Sequence, residues 1–209
     1  MRELKTAVIA VIAFTVVLGI AYPLFMTGVS QVVFPDRADG SMIMRDGKVV
    51  GSKLIGQDFS RDTGQKDADG NPVLEPDLRY FQSRPSATGY APAATFFNNQ
   101  GPNQKDLADQ LKGYVDAYLA REKPYTPNLT AADIPSDAAT TSASGVDPHI
   151  SEDNAGIQAN RVARERGLDK ARVLQLIDDN ASRSLFGLAG DKSINVLELN
   201  LDLDREASR

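Results

Sequence analysis

Hydrophobic and polar positions divide this chain sharply. From Thr6 through Pro35 no residue is charged, and the centre, Ala7 to Met26, is apolar on every face rather than along one stripe. A helix apolar all round belongs in lipid or in the middle of a large core. Roughly 20 residues at ~1.5 Å each cross a ~30 Å hydrocarbon layer. The remainder of the chain is too polar to surround such a helix, so the pattern predicts a membrane span. A cleaved signal peptide has an apolar region of about 7–15 residues followed by small residues. This stretch is longer, and Tyr22, Pro23, Leu24 and Phe25 stand where the small residues would be, so an uncleaved anchor is favoured. Pro23 removes a backbone hydrogen bond and is expected to kink the helix. Gly19 and Gly28 allow a neighbouring helix to come close, which makes Gly19, Tyr22, Pro23 and Gly28 candidates for a partner contact.

Beyond the span the pattern shortens. Ser41 to Val50 reads as a β-hairpin, with Asp46-Gly47 as a type I′ turn between apolar and β-branched residues. Leu54-Ile55 extends the apolar signal as a further short strand. Asp62 to Pro76 is polar, with Gly64, Gly70, Pro72 and Pro76, and reads as a surface loop. The Arg84-Pro85 step predicts extended backbone over Tyr80 to Ala87. A helix is predicted from about Asn103 to Leu119, with Leu107, Leu111, Val115, Tyr118 and Leu119 on one face. Ala131 to Ser144 reads as a loop. A second helix fits Ser151 to Arg166 with Gly167 as its cap, and a third fits Asp169 to Asn180, burying Val173, Leu176 and Ile177. Strict alternation from Leu197 to Asp204 predicts a closing strand. The expected fold class is therefore α+β: one N-terminal transmembrane helix, then a single mixed domain.

Charge sets the orientation. Arg2, Lys5 and the α-amino group precede the span against Glu3 alone, whereas Asp36, Arg37 and Asp39 follow it. The positive-inside rule then keeps the N-terminus in the cytoplasm and places the rest outside. The expected organisation is a cytoplasmic tail at 1–5, the helix and its exit at 6–35, and an extracytoplasmic domain at 36–209. With 23 Lys+Arg against 28 Asp+Glu and a net charge of -5, the chain lacks the basic excess of a nucleic-acid binder. Its lack of cysteine excludes disulfides, thiolate metal sites and a cysteine nucleophile, and a single histidine makes most histidine metal sites unworkable.

Three local patterns carry chemistry. Asp67-Ala68-Asp69-Gly70-Asn71 resembles the start of a calcium loop, but counting from Asp67 the positions that an EF-hand gives to Gly and Glu hold Pro72 and Leu78. Ser144, Asp147 and His149 have the residue types of a hydrolase triad. They crowd one loop without a G-x-S-x-G elbow, and Ser142, Ser144 and Asp147 are better placed to bond nearby backbone. The helix pair over 151–180 faintly resembles a helix-turn-helix, but its charges nearly balance, and no basic recognition face results.

In order along the chain stand Tyr22-Pro23, Phe34-Pro35, Ala38-Asp39-Gly40-Ser41, Gly51-Ser52, Leu54-Ile55-Gly56-Gln57, Phe59, Tyr80-Phe81, Arg84-Pro85-Ser86-Ala87 and Tyr90. Then come Gly101-Pro102-Asn103, Ser144-Gly145-Val146-Asp147-Pro148-His149-Ile150-Ser151, Ala155, Gln158, Arg161-Val162-Ala163, Arg166-Gly167, Asn195-Val196-Leu197 and Leu199-Asn200. Each block is weak alone. Their number, order and position after one span resemble the KdpC family, the C subunits of Kdp potassium-transporting P-type ATPases, over nearly the whole chain. Asp39, Ala143, Val146, the Phe96-Phe97-Asn98-Asn99 stretch and an extended loop between Phe59 and Tyr80 depart from the family pattern.

The resemblance implies a non-catalytic subunit of an ATP-driven potassium uptake complex in the cell inner membrane. It implies three partners: a channel-like potassium-translocating subunit (KdpA), a P-type ATPase subunit (KdpB) and a small single-span subunit (KdpF). It implies no cofactor of the chain's own, with ATP and potassium handled by the complex. Two roles stand side by side. One is an extracytoplasmic scaffold needed for assembly, with Arg84, Asp147 and His149 as further candidate contacts. The other is a catalytic chaperone that raises the ATP affinity of the ATPase subunit, for which the family implies nucleotide contacts at Ser142, Ser144, Gly145 and Gln158. The expected topology opposes direct contact with cytosolic ATP. From another functional class, the alternative is a membrane-anchored extracytoplasmic hydrolase unrelated to transport.

Overall fold

The computed structural model describes residues 1–94, 99–182 and 192–207. Phe96, Phe97 and Asn98 of the departing stretch lie outside these residues. The chain is a mixed α+β molecule that divides into two compact units, Met1–Ser52 and Lys53–Arg209.

The first unit is built on a helical rod over Arg2–Val33, uncharged from Thr6 onward and with none of its residues buried. It comprises α1 (Arg2–Val16), a π turn (Val17–Ala21) and α2 (Tyr22–Val33). The π turn has a local cause. Pro23 has no N–H to offer the Gly19 carbonyl, and the Tyr22 N–H reaches back to Val17 O, one residue further than in an α-helix. Phe34 breaks the helix, and a single turn, α3 (Pro35–Ala38), follows. Gln31 Nε2 holds Asp39 Oδ1 at 2.9 Å, and Ser41 N closes onto Asp36 O at 2.7 Å. The expected hairpin is present as β1 (Met42–Arg45) and β2 (Lys48–Ser52), antiparallel with a bulge. Asp46 and Gly47 take φ of 51° and 76°, as a type I′ turn requires.

The second unit starts with a difference from the sequence expectation. Leu54-Ile55 is a turn rather than a strand, with Leu54 61% exposed. The polar stretch expected to be a loop is a second antiparallel hairpin, β3 (Ser60–Lys66) with β4 (Pro72–Pro76). Thr63 Oγ1 donates to Val73 O across it, and Arg61 pairs with Glu75. Its strands carry polar side chains on both faces, so no alternation betrayed them.

Helix α4 (Lys105–Glu122) follows the expected one. The segment read as loop over 131–144 contains a 3₁₀ turn (Ala131–Asp133) inside a Thr130/Asp133 capping box, and the short α5 (Ser136–Ala139). Helix α6 (Glu152–Arg166) is capped by Ser151, whose Oγ accepts from Asn154 N, and is stopped by Gly167 at φ 64°. Helix α7 (Lys170–Asp179) is capped by Asp169 and buries Val173, Leu176 and Ile177. A three-stranded antiparallel sheet joins β5 (His149–Ser151), β7 (Ser193–Asn195) and β6 (Ala181–Ser182), with β7 central.

The closing strand expected at Leu197–Asp204 is instead helix α8 (Val196–Ala207). Val196, Leu199 and Leu203 recur at helical spacing and are fully buried, with Leu197 beside them. They complete a core with Phe81, Ile150, Ile194 and the inner faces of α6 and α7.

Candidate functional site

Helix α6 carries a polar seam on its buried side. Asn154, Gln158 and Arg161 stand at i, i+4 and i+7, each no more than 1% exposed. A buried polar group must be hydrogen-bonded, and these three are. Gln158 Oε1 accepts from Gln82 N (2.8 Å) and Arg161 Nη2 (2.8 Å), and its Nε2 donates to Gln82 O (3.1 Å) and Asn154 Oδ1 (2.9 Å). Asn154 also accepts from the Tyr118 hydroxyl (2.9 Å) and donates to Asp137 (2.8 Å). Arg161 Nε lies 3.1 Å from both oxygens of Glu122, a residue with no exposure, while Nη1 donates to Leu78 O and Tyr80 O. Burial pushes the Arg161 guanidinium below its ordinary value, and the Glu122 carboxylate opposes that shift.

The seam explains the extended segment around Arg84. Gln158 brackets the backbone N–H and C=O of Gln82. Asn200 of α8 does the same for Phe81, with both bonds at 2.9 Å. Two side-chain amides thus do for this segment what a neighbouring strand would do in a sheet.

Downstream, the segment is locked to the loop before β5. Arg84 Nη1 pairs with Asp147 Oδ2 at 2.9 Å, and Nη2 reaches Thr140 Oγ1 at 3.2 Å. The Tyr90 hydroxyl donates to Arg84 O, and burial pushes the phenol up to about 12. His149 and its backbone N–H lower Asp147 to about 2, with Arg84 adding to the effect. Ser86 Oγ donates to Gly145 O at 2.6 Å, and Gly56 N donates to Val146 O at 2.7 Å. Two close approaches need glycine. A Cβ on Gly56 would stand 2.5 Å from Asp147 O, and one on Gly145, at φ +70°, would stand 2.7 Å from Thr88 Oγ1.

Between α4, α6 and the two segments 57–59 and 82–86 lies a cleft of about 220 Å³, lined among others by Arg84, Ser86, Tyr114, Arg121 and Gln158. Its volume is below the ~300–1,000 Å³ typical of small-molecule sites. Of the four residues expected to touch nucleotide, Gln158 lies in its floor, while Ser142, Ser144 and Gly145 are not among its walls. Both atoms of the Gln158 amide are already committed within the fold. Ser142 Oγ accepts from Gly145 N, and Ser144 Oγ accepts from Val146 N, so both cap their own turn.

Arg84, Asp147 and His149 are brought together, with His149 Nδ1 3.6 Å from Asp147 Oδ1. Ser144 bonds Ser142 and Val146 rather than His149, so no triad forms. Asp67 accepts from Asp69 N, Asn71 N and Asn71 Nδ2, which lowers its pKa and occupies it within its own turn. Among the described residues, no three acidic or histidine side chains converge on a metal position. Gly19, Tyr22, Pro23 and Gly28 all lie on the exposed surface of the apolar helix.

Sequence reasoning missed Glu122, Asp137 and Asn154, and gave Arg161 only as part of a family block. The signal was present: Tyr118 and Glu122 are four apart on α4, and Asn154, Gln158 and Arg161 share a face with Ala155, Ala159 and Val162 on α6.

A family model described as "KdpC: K+-transporting ATPase, c chain" matches residues 4–205. A potassium-transporting ATPase KdpC subunit of Bradyrhizobium diazoefficiens is 40% identical, with 100% of both chains covered. Its counterpart in Cereibacter sphaeroides is 42% identical over 98% of this chain and 97% of its own. The Polaromonas naphthalenivorans protein is 43% identical over 96% and 93%. With one apolar helix able to span a membrane, a mixed α+β domain and a match running almost end to end, the chain belongs to the KdpC family, the c chain of K+-transporting ATPase.

Proposed function

We propose that the chain is a non-catalytic subunit of an ATP-driven potassium uptake complex. It crosses the inner membrane once, keeps its N-terminus in the cytoplasm, and holds residues 36–209 outside as a scaffold. Its partners in this reading are the channel-like potassium-translocating subunit, the P-type ATPase subunit and the small single-span subunit. Those partners handle ATP and potassium, and the chain needs no cofactor of its own.

The observation that carries the reading is the fully exposed apolar helix of a family whose members are named as subunits of a potassium-transporting ATPase. The flanking charges support the orientation. The commitment of the Gln158 amide and the Ser142 and Ser144 hydroxyls to the chain's own backbone and side chains supports a structural role for that loop. An effect on the ATP affinity of the ATPase subunit then travels through the membrane helix, since coupling between sites needs no shared ligand.

The test is side-specific labelling together with co-purification. Ser144 is exposed and the chain has no cysteine, so a Ser144→Cys variant reports one position cleanly. We expect an impermeant maleimide to label it in intact spheroplasts, and the tagged chain to bring a P-type ATPase subunit with it. Labelling only after permeabilisation, or purification of the chain alone, would overturn the proposal.

A further inference from the structure

The apolar helix carries a repeat that its hydropathy hides. Thr15, Gly19, Pro23, Thr27 and Gln31 follow one another at intervals of four, in a stretch otherwise dominated by Val, Leu, Ile and Phe. An α-helix turns by about 100° per residue, so each step of four drifts by about 40° and the whole series by about 160°. On a regular helix Thr15 and Gln31 would stand on nearly opposite sides.

The π turn at Val17–Ala21 changes that. The backbone stays right-handed and helical through it, with Ala21 at φ -64° and Tyr22 at φ -65°. A π turn holds about one residue more than an α turn, so the outer half of the helix lags by about 100°. The drift of the series falls from about 160° to about 60°. Thr15 and Thr27, about 120° apart on a regular helix, come to within about 20° of each other.

Contacts along the series agree. A Cβ on Gly19 would stand 4.0 Å from Thr15 Cγ2, and Thr27 Oγ1 donates to Pro23 O at 2.9 Å. Gln31 Nε2 donates to Asp39 Oδ1 at 2.9 Å, which ties the same face to the chain leaving the helix. Proline is common in membrane helices, but Pro23 is both a member of this series and the cause of the turn that straightens it. Small and hydroxyl-bearing residues suit close helix packing, and they act together only on one continuous face.

We propose that the π turn is a phase-setting device: Pro23 admits one extra residue into the helix and so gathers the five-residue series, with the Asp39 turn held by Gln31, onto the side used in assembly. This rests on the subunit reading above. Pro23 is then a positioning residue, and what it fixes is the azimuth of the outer half of the helix.

Two variants of the full chain test this. Pro23→Ala returns the missing N–H, lets the α-helix run through and removes the lag. Pro23→Ala with Ile20 deleted also removes the extra residue, which gives a regular helix with the original alignment. The first measurement needs no partner: backbone dipolar couplings of the nitrogen-15-labelled chain in aligned bilayers oscillate with the helix period. In the parent chain the oscillation is expected to break phase by about 100° between residues 8–16 and 24–33, and to run unbroken in both variants. An unbroken wave in the parent chain, or a break that persists in Pro23→Ala, would overturn the proposal. The second measurement is co-purification of the P-type ATPase subunit. Pro23→Ala is expected to lose roughly tenfold, and the deletion variant to recover to within roughly twofold of the parent. Pro23→Ala assembling as the parent does, or no recovery in the deletion variant, would also overturn it. If the parent chain brings down no ATPase subunit, the subunit reading fails, while the couplings still decide whether the turn sets the phase.

Discussion

Replacing Arg161 by Met tests whether the polar seam holds the second unit together. Met keeps much of the length of the side chain and removes every donor. Glu122, with no exposure, then keeps only Arg121 Nε at 2.7 Å, and the Leu78 carbonyl loses the guanidinium that meets it. Breaking a buried ion pair by removing one partner costs about 3–5 kcal/mol. The residual Arg121 contact reduces that figure and the orphaned carbonyl raises it, so about 4 kcal/mol is expected. For a domain of this size each kcal/mol shifts Tm by roughly 2–4 °C, which predicts a fall of roughly 8–16 °C.

The assay is thermal unfolding of the full chain in detergent, followed by the near-ultraviolet dichroism of its tyrosines. A double variant sharpens it. If the damage comes from an uncompensated charge, Arg161→Met with Glu122→Met should lose clearly less than the two single losses added together. A single variant melting within about 3 °C of the parent chain, or a double variant with simply additive losses, would refute the reasoning.

Two further outcomes are expected. Asp147 is held at about 2 in the folded chain by His149 and Arg84, below the ordinary value of 3.8. Its contribution is therefore complete above about pH 4 and disappears as pH falls through about 2. Urea midpoints of the parent chain should drop across that window more steeply than those of Asp147→Asn, and parallel curves would exclude the linkage. Gly56→Ala forces a Cβ to 2.5 Å from Asp147 O and should destabilise by about 1–3 kcal/mol, whereas Gly113→Ala, inside α4 with nothing within 4 Å, should stabilise by about 0.5–1 kcal/mol. Equal effects at the two glycines, read from the same denaturation curves, would show that the loop before β5 yields freely.

What the sequence made legible follows from which physical signals are local. The apolar rod, the Asp46-Gly47 turn, the helices beginning near Ser151 and Asp169 and the Gly167 stop each rest on chemistry contained in a few adjacent residues, and each is found in the structure. The closing helix shows where a local pattern misleads. Leucines alternate with acidic residues and Asn from Leu197 to Asp204, which has the period of a strand. Yet Leu favours helices, while Asp and Asn are depleted from strands. The deciding signal lay one step earlier: Asn195 Oδ1 accepts from Glu198 N, an N-cap three residues before a Glu. Reading that cap first would have set the period at 3.6, which places Val196, Leu199 and Leu203 on one face.

The polar seam resisted reading for a different reason. Glu122, Gln158 and Arg161 look like surface residues because charge and amide groups usually are. Only the chain segment from Leu78 to Gln82, far away in sequence and lacking a strand to pair with, makes their burial favourable. That segment needs donors and acceptors for its backbone, and α6 and α8 supply them from side chains. The same device carries the Arg84–Asp147 pair into place, so several of the blocks that carry the family resemblance, among them Tyr80-Phe81, Arg84, Gln158 and Asn200, are parts of one clamp. Motif residues in this domain thus identify a backbone that must be held in one shape. Loss of Gln158 should therefore be read first as loss of the clamp.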